Sequence, residues 1–301
     1  MGCEPSEQEI ESRTNQWAGR IPEEFERVVE DLLKLMKRGV APWRVPWSAE
    51  MLPRNAVTRR RYSGSNVGWL ILRQLSQDYP TSLWMTALQV EKVGGHLKDG
   101  ESPAVIIYFG GGPYNPVVKC HEVYNLAQID LPDGAISMPK PRVRASPTSK
   151  SLAAAFLINS QMKGTTVEYD QEDRAYYLPS QDAIHMPPRS LFPSDADFYA
   201  TVFHELCHST GIASRIGRYG MGDKRMTSEH SYSLEELVAE FGSCFLSLRA
   251  GLPIRRESSA AYLKFWASRI QNDPAALFYG VMEGSKAASS VLEIWEEPDL
   301  E

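Results

Sequence analysis

The chain has 301 residues, 43% of them hydrophobic and 23% charged, with four cysteines scattered along it. A single hydrophobic core rarely grows beyond about 250–300 residues, so this length predicts two domains. The apolar residues never run for the roughly 20 positions that a membrane-spanning helix needs, so we expect no helix to span a membrane. Cysteines without paired spacing exclude a disulfide-stabilised scaffold and predict a cytoplasmic protein.

Charge is divided unevenly between the two halves of the chain. Residues 21–150 carry 17 Lys and Arg against 13 Asp and Glu, whereas residues 151–301 carry 13 against 21. Such an asymmetry indicates different partners for the two halves. The basic surplus of the first half suits nucleic acid, and the acidic surplus of the second half does not.

In chain order, the first half predicts a mixed α/β module over residues 21–130. Residues 1–20 are polar and acidic without periodicity, which predicts a flexible tail. Apolar residues spaced by three and four then predict an amphipathic helix from near Pro22 to Gly39. We further predict loops at 41–47 and 53–62, helices at 66–75 and 87–93, and strands at 83–86, 104–109 and 117–126.

The second half predicts another α+β domain over residues 151–301. It follows a segment rich in Pro, Ser, Lys and Arg at 131–150, which predicts a linker. Two prolines end a short run at 182–186, which therefore predicts an edge strand. We also predict a helix at 151–159, a hairpin of strands 165–169 and 175–178, and helices at 195–210, 234–250 and 258–272.

The sequence His-Glu-Leu-Cys-His at residues 204–208 carries the strongest chemical signal. On a helix, His204 and His208 project from one face about 6 Å apart, so both imidazoles can bind one divalent metal at about 2.0–2.1 Å. We expect zinc, and another divalent ion such as Mn²⁺ also suits these ligands. Glu205 points about 100° aside and is predicted to be the catalytic base that activates water.

A catalytic zinc needs a third protein ligand, and no third histidine follows at the expected spacing. The next predicted helix instead offers Glu235, Glu236 and Glu240. We predict Glu236 as the ligand, with Glu240 one turn on holding the ring N–H of His204. Ser233 and Glu236 also fit a capping box, which would leave the ligand role to Glu235 or Glu240.

Peptide hydrolysis also needs a donor for the developing oxyanion. Tyr232 is predicted as this catalytic donor because it directly precedes the third-ligand helix, and His230 is the alternative. Either residue could instead be an exposed loop residue. His185, on the predicted edge strand, is interpreted as a surface histidine.

The first half combines cations with flat rings, which is typical of proteins that bind single-stranded nucleic acid. Residues 43–73 carry Arg44, Arg54, Arg59, Arg60, Arg61 and Arg73, interleaved with Trp43, Trp47, Tyr62 and Trp69. These residues predict a surface for single-stranded DNA. The alternative is a solvated basic loop over a core that contains the tryptophans.

Several separated motifs resemble the ArdC-type antirestriction family. In the first half these are PWRVPW at 42–47, RRRYSGSNVGWL ending at Leu70, and LWMTALQVEKVGGHLKDGES at 83–102. They resemble the family's N-terminal domain that binds single-stranded DNA. HELCHSTG at 204–211 and YSLEELVAEFGSCFL at 232–246 resemble the zincin-like metallopeptidase domain that follows it.

The resemblance implies a protein that binds single-stranded DNA and shields incoming DNA from restriction. It implies that His204, His208 and a glutamate of EELVAE bind the metal, that Glu205 is catalytic, and that Tyr62, Asn66 and Trp84 belong to the DNA-binding domain. Two alternatives remain: a DNA-coating protein with a structural metal, and a DNA-tethered protease that cleaves proteins bound or crosslinked to DNA. The intact Glu205 favours hydrolysis, because a structural site needs no base.

Overall fold

The computed structural model describes residues 25–45, 51–110, 117–136, 164–218, 229–252 and 259–292. The predicted tail at 1–20, most of the predicted linker and the predicted helix at 151–159 lie outside these ranges. Within the ranges that are described, no helix has the length and apolarity needed to cross a bilayer.

The first module is a four-stranded sheet, a two-stranded ribbon and three helices. The helices are α1 (Phe25–Lys37), α2 (Ser65–Ser76) and α3 (Ala87–Lys92), and the strands are β1 (Arg54–Asn55), β2 (Leu83–Met85), β3 (His96–Leu97), β4 (Ala104–Gly110), β5 (Val117–Asn125) and β6 (Ile129–Asp130). The sheet order is β1-β2-β5-β4, and β3 pairs with β6. Trp84, Ile106 and Val123 from three adjacent strands form a buried cluster with Leu70 of α2. The helix therefore packs across the sheet, and the predicted α/β module is confirmed.

In its described residues, the second module has a small sheet and four helices. Its strands are β7 (Thr166–Glu168), β8 (Tyr176–Leu178) and β9 (Ala183–His185), and its helices are α4 (Asp195–Ser209), α5 (Glu229–Ala250), α6 (Ala260–Asn272) and α7 (Pro274–Leu292). The sequence did not predict α7. This helix is buried on most of its circumference, so it lacks the one-sided apolar stripe that reveals a surface helix.

The predicted hairpin and edge strand of this module are wrong. β9 lies between β7 and β8, parallel to the first and antiparallel to the second. All three residues of β9 are buried, and a fully buried strand needs pairing partners on both edges for its backbone groups. The prolines at 187–188 follow the strand and therefore remove none of its ladder bonds.

Close glycine contacts bring three of the helices together. A Cβ at Gly242 of α5 would lie 2.4 Å from the Sγ of Cys207 on α4. A Cβ at Gly284 of α7 would lie 2.9 Å from the backbone nitrogen of Gly242. Only a residue without a side chain permits this approach, and it sets the distance between α4 and α5, which carry the predicted ligands.

The two modules share one hydrophobic core. The rings of Phe25 on α1 and Trp69 on α2 lie 5.1 and 5.8 Å from that of Phe278 on α7. The ring of Trp43 lies 5.3 Å from that of Phe241 on α5. Helices α1 and α2 therefore pack on α7, and Trp43 packs on α5, which carries the predicted ligand Glu236.

Candidate metal centre

Helix α4 begins where the sequence predicts. The hydroxyl of Ser194 accepts a hydrogen bond of 3.2 Å from the backbone N–H of Asp197, which caps the helix. The carboxylates of Asp195 and Asp197 in the first turn also stabilise the helix, because they lie at the positive end of its dipole. The cap sets where the helix begins. Within the helix, His204 and His208 are four residues apart and therefore project from the same face.

Three nitrogen and oxygen donors converge at this face. The Nε2 atoms of His204 and His208 lie 3.1 Å apart. The carboxylate of Glu236 on α5 lies 3.4 Å from the first and 3.6 Å from the second. Donors around one tetrahedral ion at about 2.0–2.1 Å would be separated by roughly 3.3 Å. The three predicted ligands therefore form a His-His-Glu site whose donor chemistry and spacing fit a zinc-like ion.

The protonation of the metal-free site follows from its charges. Burial lowers the pKa of His208, but the carboxylates of Glu235 and Glu236 outweigh it and raise that pKa to about 10. Burial raises the pKa of Glu236, but hydrogen bonds with His204 and His208 hold it below its usual range. Without an ion, the two carboxylates therefore keep His208 protonated. An ion must displace that proton in order to bind.

The candidate base is beside the ligands. Glu205 follows His204 on α4 and is buried, with 6% of its surface exposed. Successive residues of a helix point about 100° apart, so Glu205 borders the site without joining the three donors.

The capping-box alternative for Glu236 is wrong. Helix α5 begins at Glu229, so Ser233 lies inside the helix and its backbone needs no cap. The carboxylate of Glu236 is therefore free to face the histidines. The earlier start also places the backbone of Tyr232 and His230 in the helix instead of a preceding loop. Their side chains lie outside the described part of the chain, so the oxyanion role of Tyr232 stays a prediction.

Glu235 and Glu240 differ from their predicted roles. Oε1 of Glu240 accepts a hydrogen bond of 3.0 Å from the Tyr262 hydroxyl and lies 3.7 Å from the guanidinium of Arg44. The buried Nδ1 of His204 has no hydrogen-bond partner among the described residues, so Glu240 does not hold it. Glu240 points away from His204 because its two partners, Tyr262 on α6 and Arg44, lie together on another side of α5.

Glu235 instead faces the other ligand histidine. Its Oε1 lies 3.5 Å from Nδ1 of His208, close enough for an ion pair, but that nitrogen has no hydrogen-bond partner among the described residues. Arg218 binds both oxygens of this buried carboxylate, at 2.5 and 3.1 Å. Arg218 also donates to the Cys207 carbonyl and the Thr210 hydroxyl at the end of α4. Sequence reasoning missed Arg218, because a single arginine in a loop carries no pattern.

His185 is buried, in contrast to its interpretation as a surface histidine. Its Nδ1 lies 2.8 Å from Asp170, its Nε2 lies 3.2 Å from Gln181, and its ring stacks on Tyr176. The central position of β9 explains the burial. Both ring nitrogens are therefore engaged within the small sheet.

The structure removes several candidates from the predicted DNA surface. Trp43 and Trp84 are 3% and 0% exposed, so neither can stack on a base. The guanidinium of Arg44 lies over the Tyr262 ring at 3.7 Å and faces the second module. The side chain of Asn66 binds the backbone N–H and carbonyl of Ile107 at 2.7 and 2.9 Å. Trp47 lies outside the described residues.

The remaining candidates cluster with residues that the sequence did not single out. Arg60 and Arg61 are exposed on the loop after β1, which Asn55 closes by accepting the N–H groups of Val57 and Thr58. Tyr108 on β4 is 55% exposed. Burial raises the pKa of Tyr62, a hydrogen bond with Asn55 lowers it, and the Tyr108 phenol raises it.

We define the basic-aromatic surface from this cluster. The ring of His121 on β5 meets that of Tyr108 edge-on at 5.4 Å. Lys119 is exposed and lies opposite Tyr108 in the ladder. The surface comprises Arg59, Arg60, Arg61, Tyr62, Tyr108, Lys119 and His121. Its members come from three segments, so only the fold brings them together.

Two family models match the chain. The N-terminal domain of the anti-restriction factor ArdC matches residues 22–123, and a zincin-like metallopeptidase matches residues 153–283. The DNA primase TraC of Escherichia coli is 30% identical over 302 residues, which cover 89% of this chain and 27% of the primase. The chain thus spans about a quarter of that curated relative.

Solved structures extend the similarity over nearly the whole fold. The Mn(II)-bound crystal structure of antirestriction protein ArdC from plasmid R388 is 32% identical with a TM-score of 0.67, covering 89% of this chain and 97% of that one. The metal-free crystal structure of the same protein is 31% identical with a TM-score of 0.65, covering 89% and 96%. On this evidence, the chain belongs to the ArdC-type antirestriction family, with an ArdcN domain followed by a zincin-like metallopeptidase domain.

Proposed function

We propose that this protein is an antirestriction factor that binds single-stranded DNA and hydrolyses peptide bonds at its His-His-Glu site. The observation that carries the proposal is the convergence of two imidazoles and a carboxylate beside the buried Glu205. This is the donor set of hydrolytic zinc sites. Among the described residues three donors converge, and a structural zinc is normally closed by four.

In this proposal His204, His208 and Glu236 hold the ion, which is Zn²⁺ or Mn²⁺. The bound ion would supply Lewis acidity to the substrate carbonyl and lower the pKa of water. Glu205 takes a proton from the attacking water as the oxygen–carbon bond forms, and returns it to the nitrogen as the carbon–nitrogen bond breaks. Tyr232 is proposed to donate to the developing oxyanion.

The basic-aromatic surface is proposed to bind single-stranded DNA. Arg60, Arg61 and Lys119 are exposed and can neutralise phosphates. The rings of Tyr108 and His121 offer faces and edges to unpaired bases. Because Tyr62 is partly buried, it supports the surface more than it extends it.

A second candidate function is cleavage of proteins that are bound or crosslinked to DNA. This function is favoured by the contact between the modules at α5, the helix that carries Glu236. Trp43 of the first module donates a hydrogen bond of 2.7 Å to the Tyr262 hydroxyl, which donates to Glu240 at 3.0 Å, one turn from Glu236. Binding of DNA to the first module would thus hold a DNA-bound protein beside the site.

The experiment that tests both functions incubates the metal-loaded protein with DNA-binding proteins, with and without single-stranded DNA. We expect cleavage by the parent and a loss of at least about 100-fold in Glu205→Gln, since a general base contributes about 10²–10⁴-fold. Glu91→Gln, an exposed carboxylate on α3, is the matched control. Cleavage that needs DNA supports the second function. DNA binding without cleavage by any metal-loaded sample leaves a DNA-coating protein.

A further inference from the structure

A second group of metal-binding side chains lies in the small sheet, outside the His-His-Glu site. Glu168 ends β7 and is paired with His185 of β9, and Asp170 follows in the loop after β7. One donor atom from each of these three residues lies within 4.8 Å of the other two. One imidazole and two carboxylates are a donor set that suits a divalent transition metal. The roles proposed above for the metal centre and for DNA binding use none of these three side chains.

The imidazole of His185 is held in a fixed orientation. The residue is 6% exposed, and its ring stacks at 5.0 Å on that of Tyr176, the residue opposite it in β8. Its Nε2 lies 3.2 Å from the side-chain carbonyl oxygen of Gln181. A carbonyl oxygen only accepts hydrogen bonds, so Nε2 carries a proton and donates to it. A neutral imidazole has one N–H group, so Nδ1 then presents a lone pair.

That lone pair faces two carboxylates. Nδ1 lies 2.8 Å from Oδ2 of Asp170 and 3.9 Å from Oε2 of Glu168. Ionised carboxylate oxygens are acceptors as well, so three acceptors converge and favour a cation among them. A proton on Nδ1 bonds to Asp170 but not to Glu168, because 3.9 Å is too long for a hydrogen bond. A metal ion can bind all three, since two donors at about 2.0–2.2 Å from one ion lie up to roughly 4.4 Å apart.

The charges around this group favour a cation as well. The segment 168–174 contains four carboxylates and one cation, Arg174. The guanidinium of Arg174 lies over the Tyr176 ring, 5.4 Å from its centre. In the described part of the chain, the carboxylates of Glu168 and Asp170 form ion pairs with His185 alone. Both carboxylates are exposed, so an ion can reach them from solvent and complete its coordination with water.

We propose that Glu168, Asp170 and His185 bind a second divalent transition-metal ion such as Zn²⁺. His185 coordinates this ion through Nδ1, whereas His204 and His208 bring their Nε2 atoms together at the first site. The second ion joins the end of β7 and the loop after it to the central strand β9. This proposal does not depend on peptide hydrolysis or on DNA binding.

The role of the second ion is structural. Ile184 and Met186, on either side of His185, are both 0% exposed. They belong to the same core as Phe203 and Leu206 of α4, the helix that carries the two ligand histidines of the first site. An ion on His185 therefore stabilises the strand that packs on the metal-binding helix.

The decisive variant is Asp170→Asn in the full-length protein. Asparagine keeps a carbonyl oxygen for His185 but removes the charge, and the position is exposed, so the fold is preserved. In calorimetric titrations with Zn²⁺ we expect the parent to bind two ions. The second should bind at least about tenfold more weakly to the variant, since even the loss of a ligand's partner costs about 10–100-fold. Asp173→Asn is the matched control, because Asp173 is exposed in the same loop and outside the donor group.

Nitrogen NMR spectra of the imidazoles separate the two sites. An imidazole with metal on Nδ1 and a proton on Nε2 should appear as the second ion binds, whereas the first ion occupies Nε2 atoms. Asp170→Asn should need more Zn²⁺ than Asp173→Asn to produce this signal. Glu168→Gln should weaken the second site in the same way, and Glu172→Gln, an exposed carboxylate outside the donor group, should not.

The outcomes distinguish the second site from the metal centre. Glu236→Ala should lose the first ion and keep the Nδ1 signal, which supports two separate sites. A single ion in the parent, bound at Nε2 atoms alone, would overturn the second site and leave the His-His-Glu centre intact. Equal Zn²⁺ affinity of Asp170→Asn, Asp173→Asn and the parent would overturn the proposed ligands.

Discussion

Two adjacent glutamates of α5 have different environments and different partners at the metal centre. Glu236 faces both histidines with a side chain that is 23% exposed, whereas the side chain of Glu235 is 1% exposed. A step of one residue turns a side chain by about 100° around the helix. The first carboxylate therefore meets the open site, and the second lies beneath His208 against Arg218.

The pH dependence of metal binding follows from the raised pKa of His208. In the metal-free protein Glu235 and Glu236 hold this pKa at about 10, so His208 is protonated at neutral pH and must lose its proton to bind an ion. We expect the affinity for Zn²⁺ or Mn²⁺ to rise about tenfold per pH unit between roughly pH 7 and 9, measured by competition with a chelator. An affinity that is constant over this range would contradict a protonated His208.

The contact between Glu235 and His208 predicts a residue that positions a ligand. Glu235→Gln leaves Arg218 as a buried unpaired charge, so we expect a loss of about 3–5 kcal/mol in the free energy of unfolding. Metal affinity should fall about 10–100-fold, the usual effect of losing a partner of a ligand histidine. Calorimetric metal titration and urea unfolding measure the two effects.

The double variant Glu235→Gln/Arg218→Met separates positioning from stability. Removing both charges should restore the free energy of unfolding in large part, while metal affinity stays low because His208 still lacks the carboxylate beside its Nδ1. The matched control is Asp182→Asn/Arg215→Met, since that pair also binds the end of α4, through Ser209, without touching a ligand. Recovery of metal affinity in the first double variant would show that Glu235 acts through stability alone.

At the scale of elements, the site depends on how closely α4 and α5 approach. Both ligand histidines are on α4 and the ligand glutamate is on α5, so the distance between their donors is a distance between helices. Gly242 permits the approach because a Cβ there would lie 2.4 Å from the Sγ of Cys207. This contact includes no metal ligand and no candidate catalytic residue.

Gly242→Ala tests this contact between helices. We expect a loss of about 1–3 kcal/mol in the free energy of unfolding from overpacking, and weaker metal binding because α5 moves away from α4. The addition of Cys207→Ala removes the clashing sulfur and should recover part of both losses. Chemical unfolding and metal titration give the two readouts. No recovery in the double variant would place the clash elsewhere.

Prediction of the elements succeeded where local pattern carries the information. The spacing of apolar residues and the Ser194 cap determine α4, and the same kind of spacing determines α1. The order of β7, β9 and β8 is different, because the pairing partner of a strand is a distant segment. The alternation of apolar and polar residues in 165–178 is equally compatible with two strands paired as a hairpin and with two strands that flank a third strand.

At the scale of the whole molecule, the shared core makes the modules interdependent. Phe25, Trp69 and Trp43 of the first module pack on Phe278 and Phe241 of the second. Without the first module, these apolar surfaces of α5 and α7 would face water, at a cost of about 25 cal/mol per Å². We therefore expect the two predicted domains to unfold together.

This shared core predicts a single unfolding transition for the full chain. Tryptophan fluorescence and far-ultraviolet circular dichroism should give coincident urea curves, which is the test for a two-state process. Residues 151–301 expressed alone should be markedly less stable than the full chain. Two separated transitions, or an isolated second module as stable as the parent, would show that the modules fold independently.

The sequence by itself determined the donors of the site: two histidines one helical turn apart and a glutamate on the following helix, with Glu205, the proposed base, between the histidines. These features are local, because helical periodicity alone relates His204 to His208. The tertiary structure decided which glutamate faces the ion, that Arg218 holds its neighbour, and that Trp43, Trp84 and Arg44 belong to the interior or to the contact between modules. A residue's partners across the fold depend on packing between distant segments, and no local pattern in a single chain encodes that packing.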